Sequence, residues 1–133
     1  ADDGKVAGVF HAGWRGTAAG MAQAAVESFR RLGVAAHRLS AATGPHIGSC
    51  CYKVGPELKK DFPASSFVHR GGDLFLDLAA ETRRQLLEAG LRPERVVTEA
   101  PCTASHPGDY FSFRRDKQDA RMLALLSLDR CPS

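Results

Sequence analysis

The stretch Lys5-Val-Ala-Gly-Val-Phe-His-Ala-Gly-Trp-Arg-Gly16 decides how the chain is read. Lys5 to Phe10 is a short apolar, partly β-branched run behind the turn pair Asp3-Gly4, and it predicts a buried strand. Beyond Gly16, Thr17 to Leu32 places Ala18, Met21, Ala22, Ala25, Val26, Phe29 and Leu32 at helix spacing. Gly33 suits the position after a helix end. His11 to Gly16 therefore stands between a strand end and a helix start. Upstream, Ala1-Asp2-Asp3-Gly4 reads as a hairpin turn without a first strand, and the chain is expected to be part of a longer protein.

Downstream, Leu39 to Thr43 predicts a second strand, stopped by Gly44-Pro45. Cys51 to Val54 extends briefly. Pro56 opens a short helix through Phe62, and Pro63 closes it. Gly71-Gly72 marks a turn. Asp77 caps a helix to Ala89, with Leu78, Thr82 and Leu86 on one face and Gly90 at its end. Arg95 to Thr98, Tyr110 to Arg114 and Arg121 to Leu128 read as strands, the last two joined by a turn at Asp116 to Asp119. The order β-α-β-α-α-β-β-β lacks regular βαβ repetition, so the fold class is α+β, in one domain over residues 1–133.

Eighteen Lys and Arg against fifteen Asp and Glu leave +3, too mild a balance to argue for nucleic acid, and no basic run supports it. No apolar run approaches the roughly 20 residues of a membrane helix. The four cysteines are Cys50, Cys51, Cys102 and Cys131, with no CxxC. Adjacent Cys50 and Cys51 are poorly placed to pair with each other, and reduced thiols in a cytosolic protein are expected.

Four features carry possible chemistry. Gly13 and Gly16 allow close backbone approach. Free N–H groups at the helix start and the Arg15 guanidinium make a natural anion site. Trp14 offers a face to stack on a base or to pack in the core, and His11 leaves a rigid strand end as a metal ligand or base. The bland reading, a tight turn whose His and Trp are merely packed, has equal standing. In Phe111-Ser-Phe-Arg-Arg-Asp116, consecutive arginines on a strand point to opposite faces, so one can enter a site while the other meets Asp116 or solvent. Its alternative is a solvated strand end. His46 and Cys50 are four apart, but Gly44, Pro45 and Gly48 argue against the helix that metal ligation would need. Cys102 becomes a nucleophile only if His11 or His106 lies beside it. His37 and His69 sit in polar surroundings and are expected at the surface. The nucleophile elbow GxSxG, the P-loop and GxGxxG are absent.

Three stretches together resemble one family. "HAGWRGTAAG" (11–20), "TGPHIGSCCYKVGPEL" (43–58) and "CTASHPGDYFSFRRDKQDAR" (102–121) are similar to signatures of the YfiH-type, or laccase-domain, proteins. Their bacterial members include the peptidoglycan editing factor. "LFLDLAAETRRQLLEAG" (74–90) falls between them in the right order. Members are about twice this long, and the chain resembles their second half. The resemblance implies a layered α/β/β/α fold and zinc held by two His and one Cys, of which this chain carries the last, His11. None of its four cysteines matches the zinc Cys. It also implies phosphorolysis of adenosine, inosine, guanosine and methylthioadenosine, adenosine deamination, and a cytoplasmic location. Gly13, Trp14, Arg114 and Arg115 then fall to substrate binding, and His11 and Arg15 to catalysis. His46 departs from a usual Cys or small residue, and Ala120 from a usual Gly.

Other functions stand beside this one. A copper polyphenol oxidase is disfavoured because no His-x-His occurs, although copper remains a second choice of metal. A cysteine hydrolase would use Cys102. A non-catalytic role in peptidoglycan precursor quality control is the third. Oligomeric state leaves no mark in the sequence.

Overall fold

The computed structural model describes residues 1–128; Cys131 lies outside them. Helix α1 spans Trp14–Ala18 and α2 spans Met21–Arg31. Strands β1 (Ala41–Ala42), β2 (Lys53–Val54), β3 (Phe67–Arg70) and β4 (Asp73–Leu76) precede α3 (Leu78–Glu88), β5 (Val96–Val97) and a short α4 (Phe113–Asp116). Single 3₁₀ turns cover Ala36–Arg38, Pro56–Lys60, Ala64–Ser66 and Pro93–Arg95. Helices and strands are mixed as α+β. Among the described residues, no helix is long and apolar enough to cross a membrane.

Local signals explain the best-formed parts. Asp77 caps α3 by accepting a hydrogen bond from the Ala80 N–H at 2.9 Å, and Gly90 follows the helix with φ 99°. Gly71 and Gly72, both at positive φ, close a hairpin that pairs Phe67 with Leu76 and Arg70 with Asp73. On the other side of β4, β2 pairs antiparallel, Lys53 opposite Phe75, giving the order β2-β4-β3. A separate parallel pair sets Ala41 against Val96 and Ala42 against Val97.

Two cores result. The α2 and α3 faces enclose Val26, Val34, Leu39, Leu86, Leu91 and Val96. Against the antiparallel sheet, Tyr52, Leu58, Phe62, Leu76 and Leu78 form a second, with Trp14 packed on it. Between them runs a polar seam. Glu81 accepts from the Ser66 hydroxyl (2.8 Å), Gln85 Nε2 (2.8 Å) and Arg84 (2.6 and 2.9 Å). Gln85 Nε2 also donates to the Thr17 carbonyl at 2.8 Å, so α3 holds the end of α1 in place.

Several expectations need correction. Lys5 to Phe10 is not a strand, and Val9 and Phe10 are exposed. A strand exists through its ladder, and among the described residues nothing pairs with this run. The single helix over Thr17–Leu32 is two helices, because Gly20 turns left-handed at φ 78°, ψ 35°. Tyr110–Arg114 is not a strand either. The Ser112 N–H donates to the Asp116 carboxylate at 3.2 Å, and this local closure winds Phe113–Asp116 into a helical turn that stops at Lys117, φ 55°. Neither the Asp116–Asp119 hairpin nor the Arg121–Leu128 strand forms, and Leu123 and Leu125 are 80% and 84% exposed. The β3–β4 strands were not anticipated, although their Gly71-Gly72 turn was.

Candidate functional site

The 11–16 motif folds as its glycines suggest. His11 is exposed, Gly13 caps α1 in an extended conformation, and the Gly13 carbonyl accepts from the Thr17 N–H (2.9 Å) and hydroxyl (3.1 Å). A Cβ on Gly13 would lie 3.6 Å from His11 Nε2, so the imidazole passes close over the helix start. Trp14 is half-buried, and the Arg15 guanidinium stacks over its ring at 4.4 Å. The indole is therefore split between the core and the motif's cation.

The second motif arrives at the same place. Arg114 donates to the Lys53 carbonyl at 3.2 Å, and its guanidinium stands 5.0 Å from the centre of the Tyr52 ring. Burial pushes the Tyr52 hydroxyl up, while the charges of Arg114 and Arg15 both oppose it. Arg15 over Trp14 and Arg114 over Tyr52, 99 positions apart (114 − 15), thus cover two rings of one packed cluster. Both guanidinium groups belong to exposed residues, which leaves N–H donors available to an anion.

Arg115 is fully occupied. It forks onto Asp116 (2.6 and 2.7 Å) and donates to the carbonyls of Thr103 (2.8 Å), Ala104 (3.2 Å) and Tyr110 (2.8 Å). Arg115 thus meets Asp116 while Arg114 lies against Tyr52 and the Lys53 carbonyl, and a helical turn separates them instead of strand alternation. His37 and His69 are exposed, as expected.

The cysteines assemble. The Sγ atoms of Cys50, Cys51 and Cys102 lie within 4.8 Å of one another, graded from exposed through half-buried to buried, and all three are free thiols. Two loops bring them together: His46 forms an isolated parallel bridge with Cys102, and the Thr103 N–H donates to the His46 carbonyl at 2.9 Å. The Gly48 N–H donates to Cys102 Sγ at 3.2 Å. Burial pushes the Cys102 thiol up, but donors from Gly48, Ser105 and Cys50 outweigh it and hold the group at about 6. Burial, with Cys50 and Cys102 beside it, pushes Cys51 up to about 11. The condition for a Cys102 nucleophile is not met by His106, whose Nδ1 bonds the Cys102 carbonyl oxygen at 2.9 Å. His46 turns its Nδ1 to the Gly44 carbonyl (3.0 Å), and the His46–Cys50 helix is absent. Sequence reading considered these thiols singly. Nothing in it signalled the trio or the place of Tyr52, because the thiols meet across 51 and 52 positions (102 − 51, 102 − 50) and Tyr52 meets Arg114 across 62 (114 − 52).

A zinc site of catalytic type takes three protein donors. His11 is exposed at the start of its motif. The sole convergent His, Cys, Asp or Glu group of three among the described residues is the cysteine trio, which does not include it.

The sequence model of the family described as "Multi-copper polyphenol oxidoreductase laccase" matches residues 1–129. "Adenosine deaminase RL5", from an unknown prokaryotic organism, is 36% identical over 118 residues, covering 83% of this chain and 45% of that protein. "Purine nucleoside phosphorylase YlmD" of Geobacillus stearothermophilus is 36% identical over 129 residues, covering 90% and 47%. The crystal structure of Bacillus licheniformis hypothetical protein YfiH superposes with a TM-score of 0.73 at 34% identity, over 80% of this chain and 43% of that one. The chain spans about half the length of the curated relatives it matches.

Proposed function

The chain belongs to the multi-copper polyphenol oxidoreductase laccase family, and from that membership we propose that it is the second half of a single-domain, zinc-dependent purine nucleoside phosphorylase with adenosine deaminase activity. The names of its relatives support the reaction class, and its free thiols agree with a cytoplasmic setting. Adenosine, inosine, guanosine and methylthioadenosine are the proposed substrates, with phosphate as co-substrate.

One observation carries the reading. Two motifs that resemble the family's signatures set Arg15 over Trp14 and Arg114 over Tyr52, and Trp14 packs on the apolar cluster that contains Tyr52. A pair of exposed guanidinium groups at a helix start is suited to a phosphate dianion. Held there, the anion is positioned for attack on the sugar carbon that bears the base. Trp14 presents its half-buried ring beside this cation pair and offers a face to the purine. Arg115 positions α4, and so Arg114, by tying the turn to the Thr103 and Ala104 carbonyls. The His11 ring passes over the helix start, its Nε2 at 3.6 Å from where a Cβ on Gly13 would stand. His11 would hold zinc together with two side chains that this sequence does not contain. The ion supplies an open coordination position and, in deamination, an activated water.

The test uses the gene product that contains this chain. His11→Ala is expected to lose one zinc equivalent per chain by elemental analysis and to lose both phosphorolysis and deamination. Arg15→Ala is expected to keep its zinc content and raise the phosphate KM roughly tenfold or more, the loss of about 1.4 kcal/mol of binding. A zinc content unchanged by His11→Ala removes the ligand assignment, and an unchanged phosphate dependence moves the anion site elsewhere.

A further inference from the structure

The cysteine trio is not used by the phosphorylase reading and includes none of the residues assigned to it. We propose that Cys50, Cys51 and Cys102 form a binding site for one soft, thiophilic d10 cation, which joins the Gly44–Tyr52 loop to the Pro101–Thr103 segment. Geometry is the first support. Three thiolates on one ion, each at about 2.3 Å, stand about 4 Å apart, and the three Sγ atoms already lie within 4.8 Å of one another. A trio of sulfurs reached by chain rotation of exposed residues would need reorganisation; this one is set by backbone. The parallel bridge between His46 and Cys102 fixes the two segments side by side, and the Cys51 and Tyr52 N–H groups both turn back to the Gly48 carbonyl at 3.0 Å.

Gly48 is the second support. A Cβ there would meet Cys50 Sγ at 3.3 Å and Cys102 Cβ at 3.4 Å, so the residue that lets the loop approach is one without a side chain. Its N–H donates to Cys102 Sγ, the kind of outer partner that fixes a metal-ligating sulfur. Donor chemistry is the third. Three soft sulfurs converge and no carboxylate or imidazole joins them, which selects monovalent copper or zinc over hard cations. Copper(I) is satisfied by thiolates alone. A zinc ion takes four donors, and a water would enter from the side of the exposed Cys50. Binding displaces the protons that the thiols still carry into solvent. The ion then sits between Tyr52, which Arg114 covers, and the Thr103 carbonyl that anchors Arg115.

The gene product that contains this chain, carrying Cys131→Ser, is titrated anaerobically with copper(I) against a chromogenic copper(I) chelator, and separately with zinc(II) against a zinc dye. One equivalent per chain, with sulfur-to-metal charge-transfer absorption, is expected in the copper arm. A zinc equivalent that is lost in Cys50→Ser and kept in His11→Ala would support the same site with water as fourth donor. Cys50→Ser removes an exposed ligand without touching either core, and it is expected to weaken binding by roughly a hundredfold or more, beyond what loss of an outer partner does. His11→Ala is expected to leave this uptake unchanged, which separates the proposal from the phosphorylase reading. No uptake of either cation, or uptake indifferent to both Cys50→Ser and Cys51→Ser, overturns it.

Discussion

Glu81 carries a carboxylate into the interior with only 2% of the residue exposed. Its oxygens receive donors from Arg84, Gln85 and Ser66, and Arg84 above all holds the group below the ordinary glutamate range. A depressed folded-state value contributes stability that is present above the unfolded value of about 4.3 and is lost as the pH falls through the folded one. Urea unfolding of the natural chain should therefore weaken steadily from about pH 4.3 downward. Glu81→Gln should lose roughly 1–3 kcal/mol near neutrality, because Arg84 and Ser66 keep weaker acceptors, and should show a shallower acid limb. Parallel pH curves for the two proteins would remove Glu81 from this role. The same residue scale separates what was legible from what was not. Asp77 and Gly71-Gly72 announce themselves because a cap and a turn are decided within four residues. His11, Arg15 and Arg114 stand out in the sequence because each sits in a dense local motif. Tyr52 was not, since its importance lies in two cations that arrive from positions 15 and 114.

At the scale of elements, the break between α1 and α2 is the clearest difference from the sequence reading. Apolar spacing runs without a gap from Ala18 to Leu32, and spacing alone cannot see a left-handed residue. Gly20 at φ 78° ends one helix and starts the next. Any L-residue there takes on about 1–2 kcal/mol of strain. Gly20→Ala is expected to destabilise by that amount in denaturant unfolding, with Gly20→Asn losing less because Asn tolerates the left-handed region. A neutral or stabilising Gly20→Ala would mean that the two helices can fuse. The strands mispredicted at Lys5–Phe10, Tyr110–Arg114 and Arg121–Leu128 share another cause. A strand is defined by its neighbour, and an apolar run of the right length predicts burial without naming what covers it. In one case a local carboxylate, Asp116, closed a helical turn instead.

For the molecule as a whole, surface is the telling quantity. The chain exposes 8633 Å², against about 6,800 Å² for a compact protein of 133 residues. Much of the excess is apolar: Val9, Phe10, Phe111, Phe113 and the leucines from Leu123 to Leu128 are all exposed. Patches of this kind mark surfaces that other protein covers, in keeping with a chain that spans about half of its relatives.

The parallel pair has a kinetic consequence. Ala41 meets Val96 across 55 positions (96 − 41), whereas β3 and β4 meet across two glycines. Closing the long loop is the entropically slower step. Pulse-labelling hydrogen exchange during refolding should find the amides of Phe67–Leu76 protected early and Thr43, which donates to the Val97 carbonyl, protected late. Arg114 lies beyond that late-closing segment, so its arrival over Tyr52 belongs to the end of assembly: the cation pair is among the last features the nascent molecule acquires.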